Sequence, residues 1–165
     1  MKLQLPKIVE NEPRAKNLAS DLTSRAQPLW QGGELLVPRA ELTPALGAAL
    51  RSVFSAGQIV RGLEEAQNAL VAEERGLQNV DRKTGVVRGQ RVSRLLVIAD
   101  DGAERFYRNV EGVVRRHAPR VLALRLSTDE RMLGNLLFGP NQVARLLLVE
   151  HKNAVSAILL ALVAP

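Results

Sequence analysis

The stretch that decides the fold is Arg94-Leu95-Leu96-Val97-Ile98-Ala99. Its apolar residues run without interruption from Leu95 to Ala99, and a charged residue stands on either side of them. A run of this kind is typical of a strand covered on both faces, because a strand with one face in water alternates apolar and polar side chains. We therefore expect a central strand that lies between two layers of helices.

The residues after this stretch predict helices that alternate with two further strands. Apolar residues at helical spacing predict a helix over about 103–117, and apolar runs predict strands over 121–126 and 145–149. A short helix between those two strands is expected to stop at Gly139-Pro140. The last helix is almost wholly apolar, and we expect the side chain of Asn153 to cap its start.

The residues before the stretch predict a short strand and two helices. The strand over 34–37 is expected to stop at Pro38, which has no amide hydrogen for a ladder. Thr43-Pro44 is a typical helix start, this first helix is expected to end near Gly57, and a second begins around Gly62. Strands separated by helices predict an α/β fold, a three-layer α-β-α sandwich with a small mixed sheet.

The chain is expected to consist of an arm and one domain. Residues 1–28 are polar with little periodic apolar content, so we expect an N-terminal arm that is disordered or laid across a partner. Residues 29–165 are expected to form a single α/β domain. Helical periodicity fails over about 73–93, where glycines predict a flexible basic insertion with a hairpin turn at 81–85.

The composition is that of a basic protein without cysteine. The chain has 23 Lys and Arg against 17 Asp and Glu, a formal net charge of +6. A positive field attracts phosphate-bearing partners, and the lack of cysteine excludes disulfides, thiolate nucleophiles and cysteine-based metal sites. Residues 1–7 have no signal-peptide core, and the longest apolar run, 154–165, is too short to span a bilayer. We therefore expect a soluble cytoplasmic protein that does not enter a membrane.

Two aspartates directly after the central strand are the best candidates for a metal site. Asp100 and Asp101 lie where open α/β sheets bind ligands, and together they could hold Mg²⁺ in an enzyme. In the alternative reading they form a turn whose carboxylates cap the next helix. We favour the turn, because no catalytic signature accompanies the two carboxylates.

Other ionisable residues are interpreted as ordinary surface groups. No nucleophile stands at a defined spacing from either histidine, so His117 and His151 are expected on the surface. Glu64-Glu65 and Glu73-Glu74 are expected to be solvated helix faces. The sequence therefore favours a protein without catalytic activity and without a cofactor.

The segment between the second helix and the central strand concentrates positive charge. It contains no acidic residue after Asp81. Each phosphate that a cation neutralises releases counterions, so such a segment can bind RNA without reading its sequence. The alternative is an insertion kept soluble by its charge. The basic residues of this segment are Arg82, Lys83, Arg88, Arg91 and Arg94.

Several short motifs resemble the kink-turn RNA-binding family of large-subunit ribosomal proteins. Residues 55–62, Ser-Ala-Gly-Gln-Ile-Val-Arg-Gly, are similar to the family's Ala-Gly-Lys-Ile-like turn, and the helix after them is similar to its Gly-x-Asn-Glu-x-x-Lys helix. Leu95 to Asp101 is similar to a family strand, Leu-Val-Val-Ile-Ala-x-Asp. Leu133-Gly134 and Gly139 look like the pattern of its short fourth helix. The resemblance covers about residues 50–162.

The resemblance implies an RNA site at the start of the second helix. In the family, the glycine lets the backbone approach phosphate, while the asparagine, glutamate and lysine contact guanines and backbone. Gly62 and Glu65 match this motif, Glu64 stands at the asparagine position and Asn68 at the lysine position. These two replacements alter the recognition chemistry, and the long insertion before the central strand is a further departure.

Charge and resemblance together predict a non-enzymatic module that associates with RNA or the ribosome. The alternative is a protein-interaction module of the same fold that has lost its RNA site, with the apolar last helix sealing a homodimer. The residues expected to contact RNA are Arg61, Gly62, Glu64, Glu65, Asn68, Arg82, Lys83, Arg88 and Arg91.

Overall fold

A computed structural model of the protein describes residues 3–85 and 90–164, with the backbone alone at 81, 82 and 84. The strands are β1 (Ala26–Pro28), β2 (Leu36–Ala40), β3 (Ile59–Arg61), β4 (Arg94–Ile98), β5 (Val121–Leu126) and β6 (Leu146–Val149). The helices are α1 (Lys7–Glu10), α2 (Leu18–Ser24), α3 (Pro44–Ser55), α4 (Leu63–Thr84), α5 (Glu104–Arg116), α6 (Glu130–Phe138) and α7 (Lys152–Ala161). A single 3₁₀ turn, Pro13–Ala15, links α1 to α2 in this part of the chain.

The six strands form one mixed sheet in the order β1-β2-β5-β4-β6-β3. β4 pairs in parallel with β5 and antiparallel with β6, so the stretch that begins at Arg94 is an inner strand with neighbours on both sides. β2 pairs in parallel with β5, and the two edge strands β1 and β3 pair antiparallel with their neighbours. The prediction of a small mixed sheet is confirmed.

Helices cover both faces of this sheet. Leu95, Val97 and Ala99 of the central strand point into a core shared with α3, α6 and α7. Leu96 and Ile98 point to the opposite face, into a second core under α4 and α5. Every residue from Leu95 to Ala99 is at most 1% exposed, which explains why this strand has no polar alternation. The three-layer sandwich is therefore confirmed.

The N-terminal residues differ from the expected polar arm. Helices α1 and α2 lie on the first core, and most of their apolar side chains are buried there, whereas Ile8 of α1 is 56% exposed. The apolar density of this segment is low, but five of its apolar residues are buried, so it docks as short helices joined by polar turns. The buried residues are Leu5, Val9, Ala15, Leu18 and Leu22.

The region expected to be a flexible insertion is helical as far as Thr84. Helix α4 runs through Gly76 and includes residues 81–84 of the predicted hairpin turn, so that prediction is wrong. A glycine costs a helix only about 1 kcal/mol relative to alanine, which is less than the stabilisation of about 2–3 kcal/mol expected from the ion pairs of Glu73 just before it. At 1.5 Å per residue the helix is about 33 Å long.

Two smaller expectations also need correction. β2 continues past Pro38, which pairs with Ala26 of β1, while the pairing of β2 with β5 starts only at Arg39. Proline has no amide hydrogen to donate to a neighbouring strand. Its place in β2 is compatible with this pairing, because β2 pairs with β5 only after Pro38. The last helix is capped by Nδ1 of His151, which accepts a hydrogen bond from the Asn153 amide, so Asn153 is not the cap.

Helix α7 buries its apolar side chains within the chain itself. Val155, Ile158 and Leu159 are fully buried in the first core, where α7 packs against α3 and α1. Much of the apolar surface on which the homodimer expectation rests thus lies in the chain's own core, while residues 160–163 are partly buried against it. Across the described residues, none of the helices has the length and apolar character needed to cross a membrane.

Candidate functional site

The predicted RNA site at the start of α4 is only partly available for binding. Arg61 at the end of β3 donates a hydrogen bond to the carbonyl oxygen of Val143, and its guanidinium stacks over the ring of Phe138 at 4.3 Å. Gly62 has a positive φ of 94°, and its amide donates to the carbonyl of Leu146. Arg61 therefore fastens β3 to the loop before β6, and its donors are largely used inside the protein.

The first turns of α4 present carboxylates to solvent. Glu64, Glu65 and Asn68 are exposed, and the two glutamates lie in the first turn. Acidic side chains suit the positive end of a helix dipole and repel phosphate. The three residues are close to Gly62 as the sequence predicts, but the two glutamates make the surface at the start of α4 acidic.

The remaining predicted residues do not join this end of the molecule. Lys83 is exposed near the other end of α4, about 30 Å from Gly62 along the helix axis. Arg91 is held by Glu10 at 2.7 Å and by the carbonyl of Leu5 at 2.9 Å, which ties the N-terminal segment to the domain. Arg82 is within α4 with its side chain not described, and Arg88 lies outside the described residues.

The aspartates after β4 already have partners inside the protein. Asp100 pairs with Arg125 at 2.5 Å and with Arg39 at 3.9 Å. Asp101 accepts a hydrogen bond from the amide of Glu130 at 3.1 Å, so it caps α6 and not the helix that directly follows. Within residues 3–85 and 90–164 no group of three or more acidic or histidine side chains could hold a metal ion. This edge of the sheet is a structural junction.

Two carboxylates in the middle of α4 fix that helix to the rest of the domain. Glu73 binds Arg94 at 3.0 Å and also binds Arg120, and each of these arginines stands at the amino end of a strand. The adjacent Glu74 contacts Nδ1 of His117 at 2.5 Å. We call these five residues the α4 clamp. Glu73 is largely buried and His117 is 4% exposed, so the surface positions expected for these two were wrong, whereas the side chain of Glu74 is still 39% exposed.

A polar groove lies along the seam between α4 and α5, above the α4 clamp. A recess of about 290 Å³ beside Arg108 adjoins one of about 240 Å³ beside Arg75, and both are lined by Val71, Arg116 and His117. A side chain at Gly112 would meet no atom within 4 Å, so this glycine leaves the seam open. We call this the seam groove. Its polar lining residues, apart from the clamp, are Gln67, Arg75, Gln78, Arg108, Asn109 and Arg116.

The seam groove carries positive charge that the protein does not neutralise. Arg75 and Arg116 are exposed, and neither forms an ion pair or hydrogen bond within the described part of the chain. Arg108 is paired with Glu104 at 3.0 Å, yet its side chain is still 56% exposed. The acidic residue in the groove, Glu74, is engaged by His117. Several guanidinium and amide donors therefore converge on one concave surface.

Sequence reasoning missed this groove, although part of its signal was readable. Arg108, Gly112 and Arg116 recur every four residues, which places them on one stripe of α5. Arg75 has no comparable signal, because it lies in the region over about 73–93 that lacks a clear helical periodicity in the sequence. This stripe of α5 and Arg75 of α4 come together because the two helices pack on the same face of the sheet.

The comparisons with known proteins do not place the chain in a family. No family model matches the sequence, and no curated protein matches it significantly. Among solved structures the chain is similar to one described as a protein with unknown function from Bacillus halodurans C. The identity is 16% and the TM-score 0.46, with 73% of this chain and 96% of that chain covered.

Proposed function

We propose that the protein is a non-enzymatic RNA-associated binding module that holds RNA phosphates along the seam groove. The observation that carries this proposal is the pair of arginines, Arg75 and Arg116, that line the groove and form no ion pair with another described residue. Guanidinium groups bind phosphate through paired hydrogen bonds as well as charge. An anionic chain would supply the counter-ions that this surface lacks.

The dimensions of the groove suit a short stretch of a nucleic acid backbone. Gln67 and Gln78 mark its two ends on α4, and eleven residues of helix correspond to about 16 Å. Phosphate contacts of this kind give affinity without sequence readout. The net charge of +6 supports the same class of partner, because a positive field raises the local concentration of polyanions.

The resemblance to kink-turn RNA-binding proteins supports RNA as the partner. The surface that we propose for binding differs from the family's. The family's site corresponds to the start of α4, where Glu64 and Glu65 make this protein acidic. The seam groove begins on the next turn, at Gln67. We therefore assign the phosphate contacts to the seam groove.

A salt-dependent binding titration with a structured RNA tests the proposal. The double variant Arg75→Ala/Arg116→Ala removes the two unpaired cations of the groove. Because each neutralised phosphate contributes about 0.7–0.9 to the slope of log K against log salt, we expect the slope to fall by about 1.5 in magnitude. We expect binding at low salt to weaken by about tenfold or more.

Two exposed arginines on the opposite layer provide a matched control. Arg51 on α3 and Arg131 on α6 have no ion-pair partner among the described residues, and both helices pack on the other face of the sheet. The variant Arg51→Ala/Arg131→Ala removes the same charge and should keep most of the affinity. Equal losses in the two variants would show that only net charge matters, and salt-independent or absent binding would refute the proposal.

A further inference from the structure

We infer that the recess beside Arg108 receives one unpaired base, so that the RNA held in the seam groove is single-stranded. This inference rests on the proposed function and names the class of RNA that the site accepts. Three features of the recess carry it: a supported guanidinium plane, two exposed amide side chains, and an open floor.

The guanidinium of Arg108 is supported by an aromatic ring and a carboxylate. It stacks over the ring of Trp30 at 4.3 Å, and Glu104 one turn earlier on α5 binds it at 3.0 Å. Its side chain remains 56% exposed beside the recess. Unpaired RNA bases stack on arginine planes as they do on aromatic rings, and a plane that is already supported loses little entropy on binding.

Two amide side chains line the same recess as Arg108. Gln67 of α4 and Asn109 of α5 are exposed, line the recess, and have no hydrogen-bond partner among the described residues. An amide offers both a donor and an acceptor, which is the pattern needed to pair with the edge of a base. Neither amide is needed to bind phosphate, because that role is proposed for Arg75 and Arg116 elsewhere in the groove.

The floor of the recess is open because Gly112 lies between the arginines of α5. A side chain there would occupy space that has no atom within 4 Å, and the recess measures about 290 Å³. A base can enter it only when it is free of its pairing partner and of its stacked neighbours. Duplex RNA keeps its bases inside the helix, so it could reach Arg75 and Arg116 but not the recess.

Fluorescence anisotropy with labelled oligonucleotides tests this inference. The probes are a single-stranded RNA of about 12 nucleotides, the same RNA with abasic sites, and a blunt RNA duplex of equal phosphate number. Stacking and edge contacts with one base are expected to make the intact single strand bind about tenfold tighter than the abasic strand or the duplex. Arg75→Ala/Arg116→Ala should weaken all three probes.

The variant Gln67→Ala/Asn109→Ala should remove most of the advantage of the intact strand and leave duplex binding unchanged. A matched control is Gln27→Ala/Asn135→Ala, which removes one exposed glutamine amide and one exposed asparagine amide that do not line the groove. Equal affinity for all probes, lowered by the arginine variant alone, would overturn the inference and leave the proposed function standing. Absence of salt-dependent binding to every probe would overturn both.

Discussion

Replacing Glu73 by glutamine is expected to destabilise the fold, because this carboxylate balances two arginines at the amino edge of the sheet. Arg94 precedes the apolar residues of β4 and Arg120 directly precedes β5. Nη2 of Arg120 is already buried without a hydrogen-bond partner. Glutamine keeps the size of the side chain and removes its charge, so the variant measures the ion pairs and not the packing.

The expected loss follows from how far the three side chains are buried. Glu73, Arg94 and Arg120 are 23%, 19% and 18% exposed. Breaking a fully buried pair costs about 3–5 kcal/mol, whereas a fully exposed pair contributes about 1 kcal/mol or less. For side chains about four-fifths buried we expect a loss of about 2–3 kcal/mol. In a domain of 165 residues this corresponds to a fall in Tm of about 5–10 °C.

Urea unfolding followed by circular dichroism gives the free energy of unfolding for this comparison. Glu41→Gln is the matched control, because Glu41 is exposed and forms no ion pair among the described residues. We expect the control to change stability by less than about 0.5 kcal/mol. In an Arg120→Met background, the loss of unfolding free energy caused by Glu73→Gln should be smaller by at least about 0.5 kcal/mol. Equal stabilities of the Glu73 and Glu41 variants would refute the α4 clamp as a stabilising feature.

Two further predictions concern glycines and a helix cap. Gly134→Ala should cost at least about 2 kcal/mol, because its added Cβ would collide with the backbone of Gln142, whereas Gly76→Ala in open space on α4 should stabilise by about 0.5–1 kcal/mol. The same urea titration measures both, and a neutral Gly134→Ala would contradict the close packing of α6 on that loop. Asp129→Ala should lose about 1 kcal/mol, because Oδ1 of Asp129 accepts the amide hydrogen of Met132 at the start of α6. An unchanged unfolding midpoint for Asp129→Ala would show that the cap contributes nothing measurable.

Sequence reasoning located the predicted RNA residues correctly only where they are neighbours in the chain. Gly62 directly precedes α4, and Glu64 and Glu65 lie in its first turn, so their proximity follows from their places in the chain. Lys83 is predicted to contact the same RNA, on the expectation that residues 73–93 form a flexible basic insertion. Once that chain is helix, its rigid rise of 1.5 Å per residue keeps the two groups about 30 Å apart. The side-chain contacts of Arg91 with the N-terminal segment had no sequence signal.

The sequence by itself determined the layers of the fold. The apolar run after Arg94 can only be buried on both faces, and the alternation of such runs with helical stripes leaves few arrangements other than a sheet between helices. The strand order, the docking of residues 3–28 and the meeting of Arg75 with Arg116 were decided by tertiary structure. Each of these depends on contacts between residues distant in sequence, and local periodicity carries no information about which distant surfaces meet. The central strand can therefore be predicted from its own residues. The groove that we propose as the functional site exists only because α4 and α5 lie on the same face of the sheet.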